Sequence, residues 1–376
     1  MTRIVVLGSG FGALATVRAL RRRLPDAEIT VIAPSDHLVL YPGLVGVAVG
    51  EQHAGTTRVN LGEFFDRQRV NYVRASVQGI VRSGRTVLTD VGEIENDVLV
   101  IATGAGKMTS PVGIEHTLSI CSSPETAEEI HRRVRRLRRG TIACGFGGNP
   151  AEPAGARGGP VLELLLSLDA DLRRRGVRDE VELVFFSPAS NPGERLGSAA
   201  VRRVMGVMTR RGIRAHFGHR LQGFDEGRVI TDGGDVVADL VVYVPGLTGP
   251  SWAHSSDLPL SPGGFIRADR GCRVLGHPGV YVVGDAGAYE GVEDWMPKQG
   301  HAAELQGVTA AANIASELAG RARRRAFRQE LVCVLDGMDS AVMVYRSRHA
   351  SLAIPGRCWR RVKRALEARE RRRYGR

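Results

Sequence analysis

The chain has 376 residues, 43% of them hydrophobic, enough for a large core in more than one domain, and no run reaches the about 18 apolar residues a bilayer-spanning helix needs. Its net charge of +12 is lopsided: residues 321–376 hold 17 Lys and Arg against 5 Asp and Glu, leaving 35 of each for residues 1–320. A neutral body with a basic end argues against a nucleic-acid groove built into the fold, and for an end that meets an anionic surface.

No charged leader and apolar stretch precede Ile4, so no signal peptide is expected. Ile4-Val5-Val6-Leu7 reads as a buried strand running into the turn Gly8-Ser9-Gly10-Phe11-Gly12-Ala13 and an arginine-studded helix to about Arg23. Glycines at such a turn let backbone N–H groups approach a pyrophosphate at the helix N-terminus. Gly8, Gly10, Phe11, Gly12 and Ala13 are therefore candidate dinucleotide contacts. The next strand, from Glu28, ends Ala33-Pro34-Ser35 with no acid to hold an adenosine ribose. Ala33, Pro34 and Ser35 would make that contact through backbone or hydroxyl. Val70 to Val77 and Thr86 to Leu88 read as a small meander laid on the parallel sheet, with Val77 a further candidate cofactor contact. The buried-type strand from Val98 to Ile101 then ends in the small turn Ala102-Thr103-Gly104.

A second nucleotide-like unit starts at Thr141-Ile142-Ala143-Cys144-Gly145-Phe146-Gly147, with a helix near 161–175 and a strand from Val181 to Phe186. Ser187-Pro188 follows that strand where an NADH site would present an acid, and Pro150 and Pro153 lengthen the loop before the helix. The spacing predicts a degenerate copy of the fold. A strand from Leu240 to Val244 returns the chain to the first unit, and Gly279-Val280-Tyr281-Val282-Val283 ends in Gly284-Asp285.

Together the segments at 4–13, 98–104 and 279–285 resemble the flavoproteins with two dinucleotide-binding domains, in which the late Gly-Asp places its carboxylate on the FAD ribityl chain. The resemblance implies an α/β fold of two Rossmann-like domains. Residues 1–112 and 245–320 would form the FAD domain, 113–244 the second unit and 321–376 a membrane-facing region. It also implies FAD as cofactor, held in part by Gly284 and Asp285, either non-covalently or through Cys121.

Further segments are similar to the sulfide:quinone oxidoreductase and flavocytochrome c sulfide dehydrogenase family. They are Leu40-Tyr41-Pro42-Gly43 beside the flavin, Leu118-Ser119-Ile120-Cys121, Met296-Pro297-Lys298-Gln299-Gly300, Leu331-Val332-Cys333-Val334, and Pro355-Gly356-Arg357-Cys358-Trp359. The likeness places Pro42, Pro297, Lys298 and Gln299 at the flavin. It implies electron flow from sulfide or another sulfur donor to a quinone. The enzyme would be peripheral, on the cytoplasmic side of a membrane, attached through its basic C-terminus. Lys298 is one of three lysines among many arginines, and an ammonium there would stabilise an anionic reduced ring.

Five scattered cysteines without CxxC spacing argue against a disulfide framework or a metal site, and for a reducing compartment. The family implies a redox thiol pair, one member from a segment matching residues 154–160 and one matching Cys333. Here 154–160 carries no cysteine. The candidate catalytic thiols are thus Cys333, Cys121 and, as a substitute, Cys144, which also reads as a small core residue. Cys272 and Cys358 are assigned to packing or surface. The competing readings are a type II NADH:quinone dehydrogenase and a flavoprotein without sulfide turnover that acts as a sensor or partner.

Overall fold

The computed structural model describes residues 2–321 and 324–375. Two parallel sheets organise it. In the first, strands run in the order Val280–Val282, Val98–Ile101, Arg3–Leu7, Glu28–Ala33, Val70–Arg74. Ile4 to Leu7 and Val98 to Ile101 are buried throughout, as strands of a sheet covered on both faces require. The Phe11–Arg23 helix packs on the Gly300–Leu318 helix. A Cβ at Gly307 would come within 2.7 Å of the Gly12 carbonyl, so glycine lets the two backbones approach.

The second sheet has the order Arg214–Phe217, Val181–Ser187, Gly140–Phe146, Leu240–Val244, again all parallel. Each sheet carries an antiparallel meander, Val77–Val81/Thr86–Thr89/Gly92–Glu95 on the first and Leu221–Asp225/Arg228–Thr231/Val236–Val237 on the second. From sequence, Val70 to Val77 is expected in the meander. The structure instead gives Val70–Arg74 to the edge of the parallel sheet, because register with Ile29–Ala33 pairs it before the chain turns at Ala75.

The C-terminal region is a three-stranded antiparallel sheet, Glu330–Asp336, Ala341–Ser347 and Ser351–Pro355, followed by the helix Cys358–Gly375. It is more tightly tied to the body than its charge suggests. Tyr374 is fully buried against Phe64, with ring centroids 5.6 Å apart. Arg360 and Arg364 pair with Glu51, and Lys363 with Glu163. The expectation that all these cations face a membrane is therefore corrected: Arg360, Lys363 and Arg364 turn to carboxylates of the body.

Candidate functional site

One cleft of about 1650 Å³ runs between the two sheets to the C-terminal helix. Its floor is the glycine turn. Gly8 has φ +107°, and a Cβ there would overlap the Ala102 carbonyl, so the strand can end so close to its neighbour only with glycine. Gly10 has no such neighbour: a Cβ would find no protein atom within 4 Å. That open space directly before the N-terminus of the Phe11–Arg23 helix, where backbone N–H groups are free of intrahelical partners, is where a pyrophosphate would be held.

Most residues singled out in the sequence share this cleft. Gly8, Gly10, Phe11 and Gly12 line it with Pro34, Pro42 and Val77; Ala102-Thr103-Gly104, Gly284-Asp285 and Pro297-Lys298-Gln299 complete the wall with Cys121 and Cys333. Thr103 Oγ1 and Gln299 Nε2 are buried without a hydrogen-bond partner among the described residues. Orphaned polar atoms in a cleft wall fit a bound polar cofactor.

Four expected residues lie elsewhere. Ala13 is buried inside its helix and Ala33 inside its strand. The Ser35 hydroxyl accepts from the His37 N–H at 3.3 Å; the Ser35 carbonyl accepts from Ser9 Oγ at 2.9 Å, a tie the sequence did not suggest. Cys144 is the larger correction. It sits in the central strand of the second sheet, fully buried in its core, where burial pushes the thiol strongly up. It faces packing, not the cleft, and pairs with no other thiol: all five cysteines are free.

The electrostatics divide the cleft. Near Asp285, the carboxylate Oδ2 accepts from Arg157 Nη2 at 2.5 Å, and the same nitrogen donates to the Lys298 carbonyl at 3.1 Å. Lys298 Nζ donates to the carbonyls of Asp285 at 3.1 Å and Gly287 at 2.7 Å and lies 3.8 Å from the Phe265 ring centroid. Burial brings its pKa down to about 8, a loss limited by Asp285. Arg157 lies in the segment where the resemblance implies a thiol, and its role is not among those the resemblance implies. The signal was there: a lone cation in the small-residue run Ala154-Gly155-Ala156-Arg157-Gly158-Gly159.

At the other end the cleft is acidic. The inner face of the Cys358–Gly375 helix presents Lys363, Glu367 and Glu370. Lys363 pairs with Glu163, yet burial, reinforced by Asp336 and Glu367, holds the Glu163 carboxyl up at about 7. Burial also pushes the Cys333 thiol up to about 12, with the Glu163 charge adding to the effect. Glu304 accepts from Tyr374 Oη at 2.6 Å and from Arg373 Nη1 at 2.8 Å, and His301 Nε2 meets Glu330 Oε1 at 2.9 Å.

The second sheet lacks the matching turn. In the first unit residues 8–10 separate strand from helix; in the second, 147–158 separate Phe146 from the helix Gly159–Arg174. That loop is pinned to the body: Asn149 Nδ2 donates to the Leu247 carbonyl at 3.0 Å, and Arg195 Nη1 to the Pro153 carbonyl at 2.8 Å. The strand-end glycines Gly147 and Gly148 are thus held apart from the helix N-terminus, where Gly158 is the N-cap.

Two parallel nucleotide-type sheets, one glycine cradle and a cleft with a wall thiol define an oxidoreductase of the dinucleotide-fold class. The chain belongs to the pyridine nucleotide-disulphide oxidoreductase family, whose model matches residues 2–307. It is 26% identical over 357 residues to the sulfide-quinone reductase of Aquifex aeolicus, covering 90% of this chain and 82% of that one. It is also 26% identical over 360 residues to the type II NADH:quinone oxidoreductase Ndh of Mycobacterium tuberculosis, covering 85% and 73%. The fold superposes on the crystal structure of the Aquifex aeolicus sulfide:quinone oxidoreductase with a TM-score of 0.89, 24% identity and coverage of 98% and 90%. For NDH2 of Plasmodium falciparum the TM-score is 0.75, at 12% identity and coverage of 98% and 96%.

Proposed function

We propose that the chain is an FAD-dependent oxidoreductase of the sulfide:quinone oxidoreductase type, taking electrons from sulfide or another sulfur donor and delivering them to a quinone. One observation carries this reading: a single cleft joins the glycine cradle, Asp285, Cys333 and the inner face of the C-terminal helix. FAD, when bound, supplies a two-electron carrier between donor and acceptor. The turn from Gly8 to Gly12 would hold its pyrophosphate, Thr103 and Gln299 would satisfy polar edges, and Asp285 the ribityl chain. Cys333, as a protonated thiol, is a poor nucleophile until its proton leaves. Glu163, titrating near neutrality and bearing on Cys333 electrostatically, is suited to receive that proton.

The quinone end is proposed at the C-terminal region. Leu352, Ile354 and Val362 are exposed apolar groups on the last strand and helix, 48%, 40% and 39% accessible. They would enter a membrane surface while Lys363, Glu367 and Glu370 face the cleft. No described helix is long and apolar enough to cross a membrane, which fits peripheral attachment. Free cysteines throughout favour the cytoplasmic face.

The 147–158 loop speaks against NADH as donor, and the lack of a cysteine in residues 154–160, where the resemblance implies the redox partner of Cys333, keeps open a flavoprotein without sulfide turnover. Anaerobic titration of the purified protein with sulfide and, separately, with NADH tests all three. Flavin bleaching by sulfide alone is the expected result. Bleaching by NADH alone establishes the dehydrogenase, and bleaching by neither establishes the non-catalytic reading.

A further inference from the structure

The segment that carries Lys298 has no regular structure of its own. Residues 290–299, between the strand Gly287–Tyr289 and the helix Gly300–Leu318, form neither helix nor strand, so their buried backbone groups need partners from elsewhere. Two arginines supply them. Arg195 Nη2 donates to the carbonyls of Asp294 at 2.5 Å and Met296 at 2.6 Å, and Arg157 Nη2 to that of Lys298 at 3.1 Å, every second carbonyl along the segment. Arg195 Nη1 also reaches the Pro153 carbonyl at 2.8 Å, so one side chain bridges the 147–158 loop and the Lys298 segment. Arg195 is itself fixed. It lies in the short turn Glu194–Leu196, entered from Gly193 at φ +88° and left through Gly197 at φ +95°. Arg346, from the strand Ala341–Ser347, donates from Nη1 to the carbonyls of Glu194 at 3.2 Å and Arg195 at 2.8 Å. Its guanidinium carbon lies 4.9 Å from the centroid of the buried Trp295 ring. Burial lowers the Arg195 pKa and Arg346 adds to that; Asp294, Glu152 and Glu194 oppose it through space, and among the described residues no carboxylate pairs with it. A half-buried charge spent on three carbonyls holds a segment with charge-assisted bonds that a neutral side chain could not match.

We infer that Arg195, seated by Arg346, is a positioning residue that fixes Lys298 at the flavin end of the cleft and thereby sets the flavin potential. None of the three carbonyls it holds belongs to a residue assigned to the cofactor above, so it acts through the segment and not by contact. Lys298 depends on that hold. Its Nζ spends two of three donors on the carbonyls of Asp285 and Gly287, and Met296 is only two residues back along the chain. A shift of the Met296 carbonyl therefore draws the ammonium off both acceptors. That a flavin lies beside Lys298 rests on the function proposed above; the hold on Lys298 rests on these contacts alone.

Lys107, Lys298 and Lys363 are the chain's three lysines, so amine acetylation read by peptide mass spectrometry follows Lys298 with Lys107 as internal reference. In Arg195→Gln the relative rate at Lys298 should rise by about fivefold, the equivalent of one net hydrogen bond, in protein as purified and again after flavin removal. Arg195→Lys, which can still reach one carbonyl, should recover part of the wild-type rate. Arg346→Gln should raise the rate by a smaller factor. Where Arg195→Gln does not fold, these two variants carry the same comparison. The flavin midpoint potential should fall in Arg195→Gln by about 30 mV, a tenfold shift of a two-electron couple towards the oxidised form, because a displaced ammonium no longer stabilises the anionic reduced ring. In a Lys298→Met background the same substitution should leave the potential in place, a result that a merely structural role would not give. An unchanged Lys298 rate, or an equal fall in potential in the Lys298→Met background, overturns the positioning role. A yellow protein with an unchanged rate sinks this inference alone, and a colourless protein whose Lys298 rate still responds sinks the flavin reading alone.

Discussion

Gly10→Val separates the cradle from the scaffold that carries it. Gly10 sits at φ −84° and ψ −177°, an extended backbone open to any residue, and a Cβ there meets no protein atom within 4 Å. Replacing glycine as the helix N-cap costs about 1 kcal/mol at most, so the fold should survive. The cofactor should not. A valine side chain would fill the space before the helix N-terminus and hold a pyrophosphate away from the backbone N–H groups. Losing two charge-assisted hydrogen bonds at about 1.5–3 kcal/mol each amounts to about 3–6 kcal/mol, roughly 10²- to 10⁴-fold in affinity. The assay is the flavin-to-protein ratio after exhaustive dialysis, with the Tm of cofactor-stripped wild type and variant as the control on folding. The expected variant is colourless with a near-normal stripped Tm. Gly8→Ala is the contrasting case: at φ +107°, with the Ala102 carbonyl in the way, it should lower the stripped Tm as well. A Gly10→Val protein that keeps the wild-type flavin ratio would refute the cradle.

Cys333→Ser should abolish sulfide-dependent reduction while flavin stays bound, whereas Cys144→Ser should leave turnover intact and cost only stability, about 1–3 kcal/mol for a hydroxyl placed in an apolar core; stopped-flow reduction and denaturant unfolding read the two effects. Leu352→Glu with Ile354→Glu should remove binding to anionic vesicles in a sedimentation assay without loss of flavin, since neither side chain lines the cleft, and unchanged sedimentation would exclude the hairpin as the docking face. Burial and the neighbouring Glu304 raise the Glu370 carboxyl to about 7. A raised carboxyl stabilises the fold below its unfolded value, about 4.5, and loses that contribution as pH rises through about 7. Glu370→Gln should therefore flatten the fall in Tm across that window, and a wild-type-like slope in the variant would assign the titration to another group.

The first sheet was legible because its strands are buried on both faces and read as unbroken apolar runs bounded by glycine turns, from Ile4 to Leu7 and from Val98 to Ile101. The helix Pro124–Arg136 carries a local signal too: Ser123 caps it by accepting from the Thr126 N–H at 3.2 Å. What depended on distant partners was not legible. Cys144 reads equally as core or chemistry until the Leu240–Val244 strand is known to pack beside it. The inward turn of Arg360, Lys363 and Arg364 depends on Glu51 and Glu163, roughly 310 and 200 residues away along the chain. The partner of Arg157, Asp285, lies 128 residues on, so the sequence marks the cation without showing what it meets.

The pinned 147–158 loop bears on how this chain could ever change its electron donor. An acid grafted after Phe186 would present a ribose partner to a tight turn that does not exist, since the helix starts nine residues later than in the first unit and Arg195 and Asn149 hold the intervening loop in place. Recruiting a nicotinamide would take a deletion together with release of both anchors, steps that are individually disruptive and useful only in combination. The loop thus acts as a ratchet: redesign of this chain towards a nicotinamide would have to begin with backbone remodelling, not with a point mutation.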